Sequence, residues 1–110
     1  MIAVPPLSAD AQWKSALKAG NLQKAEAALE NAYLTPSDSA RISQAVITFE
    51  QSKLPDQALK YARYGVKFNP NNFDAWRVLY AATKSTPEDK AEALANMKRL
   101  DPKNPDVLAQ

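Results

Sequence analysis

The sequence predicts an all-α fold made of three successive pairs of helices. Three prolines, Pro36, Pro70 and Pro102, are spaced 34 and 32 residues apart, and each follows a segment with helical apolar periodicity. Because a helix usually stops ahead of a proline, these prolines mark the ends of repeating units. β-Branched residues never alternate cleanly with polar ones over the roughly four positions that a strand needs, so no strand is expected.

The second helix of each pair is predicted from apolar residues that recur on one side. In the middle pair these residues are Ala58, Leu59, Ala62, Gly65 and Val66. Lys60, Arg63 and Lys67 take the opposite side of the same helix. The corresponding residues are Ala25, Ala28, Leu29 and Ala32 in the first pair and Ala91, Leu94 and Met97 in the third.

The first helices of the pairs are predicted over residues 9–19, 37–53 and 73–84, each from its own amphipathic pattern. Residues suited to cap helix starts are Ser8, Asn21, Asn72 and the segment Thr86-Pro87-Glu88-Asp89. Gly20 suits the left-handed conformation that ends a helix. Together the two sets of helices predict six helices.

Most aromatic side chains are predicted to pack in the core rather than to form an exposed stacking surface. They are Trp13, Trp76, Tyr61, Tyr64, Phe49 and Phe73. Phe68 and Phe73 lie near a turn between two pairs, which makes them the aromatic residues least firmly assigned to the core.

Composition excludes many catalytic chemistries. The 110 residues, 45% hydrophobic and 24% charged, suit one globular domain. Cysteine and histidine are both absent, which removes thiol nucleophiles, histidine-dependent catalysis and zinc sites built from these residues. Two glycines are too few for a glycine-rich phosphate-binding loop. We therefore expect no enzyme activity, no cofactor and no metal site.

Charge and hydropathy restrict the partners. Fourteen basic and twelve acidic residues give a net charge of +2, far from the basic balance of nucleic-acid-binding proteins. No apolar run approaches the ~18 residues that cross a bilayer, so no membrane insertion is expected. Residues 1–7 lack the features of a signal peptide and are predicted to be a linker. Localisation stays open between a free-standing cytoplasmic protein and a membrane-tethered tail of a larger one.

The region around residues 57–80 resembles tetratricopeptide repeats. Residues 57–72 are similar to the second helix and terminal turn of such a repeat, and residues 73–80 are similar to the next first helix. The resemblance implies a right-handed α-solenoid of three helix-turn-helix repeats. The implied segments are repeats at about 8–36, 37–70 and 71–102 within a domain at 8–105, and a C-terminal tail at 106–110.

The sequence departs from the family pattern at several positions. Trp13 stands where a glycine is usual, and Lys90 takes a position usually held by a small residue. The turn at residues 85–87 is expected to be about two residues short. Some family members bind a chaperone's terminal carboxylate through basic residues and asparagines, but the corresponding positions here lack those asparagines.

A second, narrower resemblance is to the soluble repeat tails of O-antigen-ligase-like bacterial membrane proteins. The segments that carry it are residues 33–36, 72–77, 85–90 and 97–102. It implies that residues 2–6 are a linker after a membrane region. The alternative is that these residues are a free N-terminus.

The family resemblance implies a concave groove lined by the first helices, a surface that commonly holds peptides or partner helices. Candidate groove residues are Lys14, Leu17, Lys18, Ile47, Arg77 and Lys84. The cationic ones favour a protein or peptide partner with acidic groups, and the apolar ones offer hydrophobic contact. Alternatively, the lysines are an ordinary solvent-exposed face.

These observations predict a non-catalytic protein-interaction module that binds a peptide or partner protein in the groove. One alternative is self-assembly into a homo-oligomer through the last helix, whose apolar face lacks a covering helix. Another is an accessory tail of a membrane O-antigen-ligase-like glycan transferase.

Overall fold

The computed structural model describes residues 8–109, and all regular structure over this range is helical. The expected all-α class is confirmed. The helices are α1 (Ala9–Lys18), α2 (Leu22–Ala28), α3 (Ser39–Gln51), α4 (Pro55–Phe68), α5 (Phe73–Ala81), α6 (Pro87–Leu100) and α7 (Pro105–Leu108). The predicted linker at residues 1–7 and the side chain of Ala32 lie outside the described part.

The helices form two units. The first unit holds α1 and α2 and ends at Thr35, and the second unit starts at Pro36 and holds α3 to α7. The first unit corresponds to the first predicted pair. The second unit contains the second and third predicted pairs.

The predicted cap residues do occupy the starts of their helices. Ser8, Asn21 and Asn72 each accept a hydrogen bond from the backbone N–H three residues further on, at 3.0–3.2 Å. Thr86 and Asp89 exchange bonds reciprocally at the start of α6. Gly20 has a φ of 80°, so the expected left-handed helix end is also confirmed.

The first unit is built around Trp13, which is fully buried. α2 continues into a wider π-helical turn at Leu29–Tyr33, where the N–H of Leu34 donates to the carbonyl of Leu29 at 2.8 Å. Leu29 and Tyr33 are both buried, and the rings of Trp13 and Tyr33 lie 5.8 Å apart. Trp13 is therefore the centre of this small core.

In the second unit, α3 packs on α4, α5 packs on α6, and α5 also contacts both α3 and α4. The rings of Phe49 and Tyr61 stack at 5.4 Å in the middle of the first pair. Gly65 lets α4 approach α3 closely, because a Cβ at this position would lie 3.1 Å from Ile42 Cγ2.

Most of the aromatic predictions are confirmed. Trp13, Phe49, Tyr61 and Trp76 are buried, and the Trp76 indole N–H donates to the carbonyl of Pro70 at 2.7 Å. Phe68, one of the two aromatic residues least firmly assigned to the core, is 45% exposed at the end of α4. Two further aromatic residues, Tyr64 and Phe73, are half-buried.

The third pair differs from the sequence expectation in length. The first helix was expected to reach Lys84, but α5 ends at Ala81, so Lys84 lies in the loop at residues 82–86. The starts of α5 and α6 are 14 residues apart, against 16 for α3 and α4. The turn is therefore not short, and the missing residues come from the helix. The cause is Ala82, whose extended ψ of 134° ends the helix while its side chain stays buried.

Two residues in the first half of α6, Lys90 and Ala91, depart from the expected pattern. Lys90 fits its unusual position because its Nζ donates to the carbonyl of Tyr80 at 2.7 Å and lies 4.9 Å from the centre of that ring. Ala91, expected on the apolar side, is exposed. Met97 is buried as expected, and Ala93 faces the core in place of Ala91.

The last helix, α7, is a single turn. It is not one of the six helices predicted from the sequence. Asn104 caps it by accepting from the N–H of Asp106 at 2.9 Å. Val107 is buried, whereas Leu108 is 70% exposed. Residues 106–108, expected in a tail, therefore belong to a helical turn packed on α6.

Candidate functional site

An apolar cleft lies between α3 and α5 in the second unit. Its volume is about 180 Å³, and it is lined by Val46, Ile47, Glu50, Gln51, Val78, Ala81 and Ala82. Ile47 is 42% exposed, although large aliphatic side chains are normally buried. We call this surface the α3–α5 cleft. It combines a concave shape with an aliphatic side chain available to a ligand.

The spacing of the cleft is fixed by Glu50. Its Oε1 accepts from the backbone N–H of Thr83 at 2.9 Å, and its Oε2 accepts from the Thr83 hydroxyl at 2.7 Å. These charge-assisted bonds join the ends of α3 and α5. They also occupy both oxygens of the acidic side chain that lines the cleft.

Two lysines lie next to Glu50 at this end of the cleft. The N–H of Lys53 donates to the carbonyl of Glu50 at 3.1 Å, and Lys84 follows Thr83, which is bonded to the Glu50 carboxylate. Lys53 follows the lining residue Gln51 by two positions, and Lys84 follows Ala82 by two. Lys53 has a φ of 60°, which turns the chain sharply between α3 and α4. Both lysines are exposed, and within residues 8–109 neither ammonium group has an ion pair or hydrogen bond.

Arg77 lies midway along α5 and has acidic neighbours. Its guanidinium forms ion pairs with Asp74 at 3.0 Å and with Asp106 at 3.7 Å. The positive charge of Arg77, which was expected to bind an acidic partner, is therefore already paired with carboxylates of this chain.

The three groove candidates of α1 belong to the first unit. Lys14 pairs with Asp10 at 3.0 Å, Leu17 is half-buried, and Lys18 is exposed. In the second unit, Ile47 lines the α3–α5 cleft, Lys84 borders it, and Arg77 lies on the same helix as Val78.

Sequence reasoning missed Lys53, Val78 and Ala82. Lys53 was placed inside the first helix of its pair, but α3 ends at Gln51, and Lys53 lies in the following turn with a positive φ. The proline at the start of α4 is the available signal, because the chain must leave one helix shortly before it. Val78 and Ala82 could have been found because they are four residues apart, which places them on one side of the predicted helix, next to Ala81.

Two other clefts are present. One belongs to the first unit and is lined by Gln12, Ser15, Ala16, Ala19, Asn21, Lys24 and Ala28. The other is lined by residues of α4, α5 and α6, and the ion pair between Arg63 and Asp89 lies in it. Hydrogen bonding from Arg63 holds the pKa of Asp89 at about 2, with further bonds from Thr86 acting in the same direction.

No protein-family model, curated protein or solved structure matches this chain. Over residues 8–109, no group of three or more His, Cys, Asp or Glu side chains is placed to hold a metal ion. In the same range, no helix has the length and apolar character needed to span a bilayer.

Proposed function

We propose that this chain is a non-catalytic protein-interaction module of tetratricopeptide type, which binds a peptide or a segment of a partner protein in the α3–α5 cleft. The observation that carries the proposal is the exposure of Ile47 beside an apolar cleft. Exposed aliphatic groups that rim a concave surface are typical of ligand-binding grooves.

Repetition in the second unit supports the tetratricopeptide part of the proposal. The caps of α3 and α5, Asp38 and Asn72, are 34 residues apart, and the caps of α5 and α7, Asn72 and Asn104, are 32 apart. The second helices α4 and α6 both start at a proline. A right-handed solenoid is the arrangement that such repeats adopt in that family.

The proposed mechanism is presentation of a rigid cleft. Because Glu50 and Thr83 fix the two helix ends, the cleft exists before a ligand arrives, and little conformational entropy is lost on binding. Burial of one aliphatic side chain against Ile47 and Val78 would contribute about 1.5–3 kcal/mol. Several backbone or rim contacts would be needed for micromolar affinity.

The test is selection of binders from a library of random twelve-residue peptides displayed on phage, with the full chain as target. We expect binders whose affinity falls by about tenfold or more for Ile47→Glu, because the variant puts a charge into the apolar cleft. Leu108→Glu is the matched control, since it introduces the same charge at an exposed aliphatic residue outside the cleft. Binders that lose affinity equally for both variants would contradict the proposal.

A second candidate function is self-assembly, and the exposure of Leu108 beside the buried Val107 favours it. Light scattering over a wide concentration range measures the mass directly. A dimer that Leu108→Glu dissociates would support self-assembly, and a monomer at all concentrations would exclude it. The role as an accessory tail of an O-antigen-ligase-like protein stays a prediction.

A further inference from the structure

The charges around the α3–α5 cleft indicate which partner it accepts. We infer that the cleft takes a peptide segment that carries an aliphatic side chain next to one or more acidic side chains. The aliphatic group enters between Ile47 and Val78, and the carboxylates meet Lys53 and Lys84. This inference rests on the proposed function and specifies its ligand.

The cationic end of the cleft is open to a ligand. Lys53 and Lys84 are exposed, and over residues 8–109 their ammonium groups have no acidic partner. Glu50 forms no ion pair with either lysine, since its oxygens are bonded to the neutral donors of Thr83, and the two lysines and Glu50 together keep a net positive charge. A peptide carboxylate is therefore the complementary group for this end.

The first half of α5 has the opposite charge balance. Asp74 and Asp106 both face Arg77, at 3.0 Å and 3.7 Å, so two carboxylates share one guanidinium. An acidic peptide is not favoured there. The two groups of charges together orient the peptide, with its acidic side chains toward Lys53 and Lys84 and its neutral part toward Arg77.

The experiment uses the peptides selected from the random library on the full wild-type chain. We expect these peptides to be enriched in Asp or Glu within a few positions of Leu, Ile or Val. Replacing Lys53→Glu together with Lys84→Glu should weaken their binding about tenfold at low salt, and less at high salt, because rim charges are screened. Selection on this double variant should enrich Lys or Arg instead.

The matched control is Lys98→Glu together with Lys103→Glu. These lysines are also exposed in the second unit, and the double change alters the net charge equally. Circular dichroism establishes that both double variants fold. Equal weakening by the two double variants would show a general charge effect and would overturn the inference.

The remaining outcomes separate the inference from the proposed function. Peptides that require Ile47 but lack acidic residues, and that bind the Lys53 and Lys84 variant normally, would overturn the inference and leave the proposed function in place. Peptides that bind Ile47→Glu as well as wild type, or a library without binders, would overturn both. Self-association that Ile47→Glu abolishes would identify a second copy as the occupant and also overturn the inference.

Discussion

Arg63 on α4 and Asp89 on α6 form an ion pair whose closest atoms, Nη2 and Oδ2, are 2.7 Å apart. The Asp89 side chain is only 13% exposed, and its Oδ2 also accepts hydrogen bonds from the backbone N–H and the hydroxyl of Thr86 at 3.0 Å. Asp89 therefore caps α6 and joins it to α4 through the same carboxylate.

We expect Asp89→Ala to lower the free energy of unfolding by about 1–3 kcal/mol, because it removes both the cap and the charge-assisted bond. Urea unfolding followed by circular dichroism measures the change. Glu88→Ala is the control, since Glu88 lies in the same helical turn but is exposed. An equal effect of the two substitutions would show that only the helix dipole matters.

The same carboxylate should make stability depend on acid pH. The pKa of Asp89 is lowered from 3.8 to about 2 in the folded protein, so its contribution is complete above pH 3.8 and is lost as the pH falls through 2. The Asp89→Asn variant has an amide in place of the carboxyl group, so this position no longer titrates. We expect the stability difference between wild type and Asp89→Asn to be constant at neutral pH and to shrink between about pH 4 and pH 2. A difference that stays unchanged down to pH 2 would be inconsistent with this pairing.

Glu50 and Thr83 should be energetically coupled, because their two hydrogen bonds join α3 to α5. We expect Glu50→Ala to cost about 1–2 kcal/mol. A double-mutant cycle with Thr83→Val should give a coupling energy of about 0.5–1.5 kcal/mol. Strictly additive effects would mean that the hydroxyl bond does not form in solution.

Gly65 and Ile42 give a test of helix packing. Gly65→Ala should gain about 1 kcal/mol of helix propensity, but its new Cβ crowds Ile42, whose Cγ2 would be 3.1 Å away. The χ1 rotamer of a buried isoleucine is stiff, so relief is costly. We expect the full gain only in an Ile42→Ala background and a smaller gain or a loss in wild type. Equal effects in the two backgrounds would show that Ile42 moves freely.

The helices could be predicted from the sequence because their signals are local. Pro36, Pro70 and Pro102 mark the ends of pairs, and the cap residues lie within three positions of the groups that they bond. The end of α5 could not be predicted in this way. It depends on Ala82 being buried and on a bond between Thr83 and Glu50, which are 33 residues apart in sequence.

The candidate site could be predicted only in part for the same reason. Ile47 was named because the family resemblance implies a groove lined by the first helices. The pairing of Arg77 with Asp74 is local in sequence, whereas its second partner, Asp106, is far away in sequence and has no local signal. Lys53 was missed because a positive φ in a residue other than glycine has little sequence signal.

The most direct measurement of the central claim is methyl NMR of the full chain during titration with a peptide selected from the library. The proposed function requires the largest shifts at the methyl groups of Val46, Ile47 and Val78, which line the α3–α5 cleft. Shifts confined to Leu108, or to methyl groups of the first unit, would contradict the assignment of the cleft as the binding site.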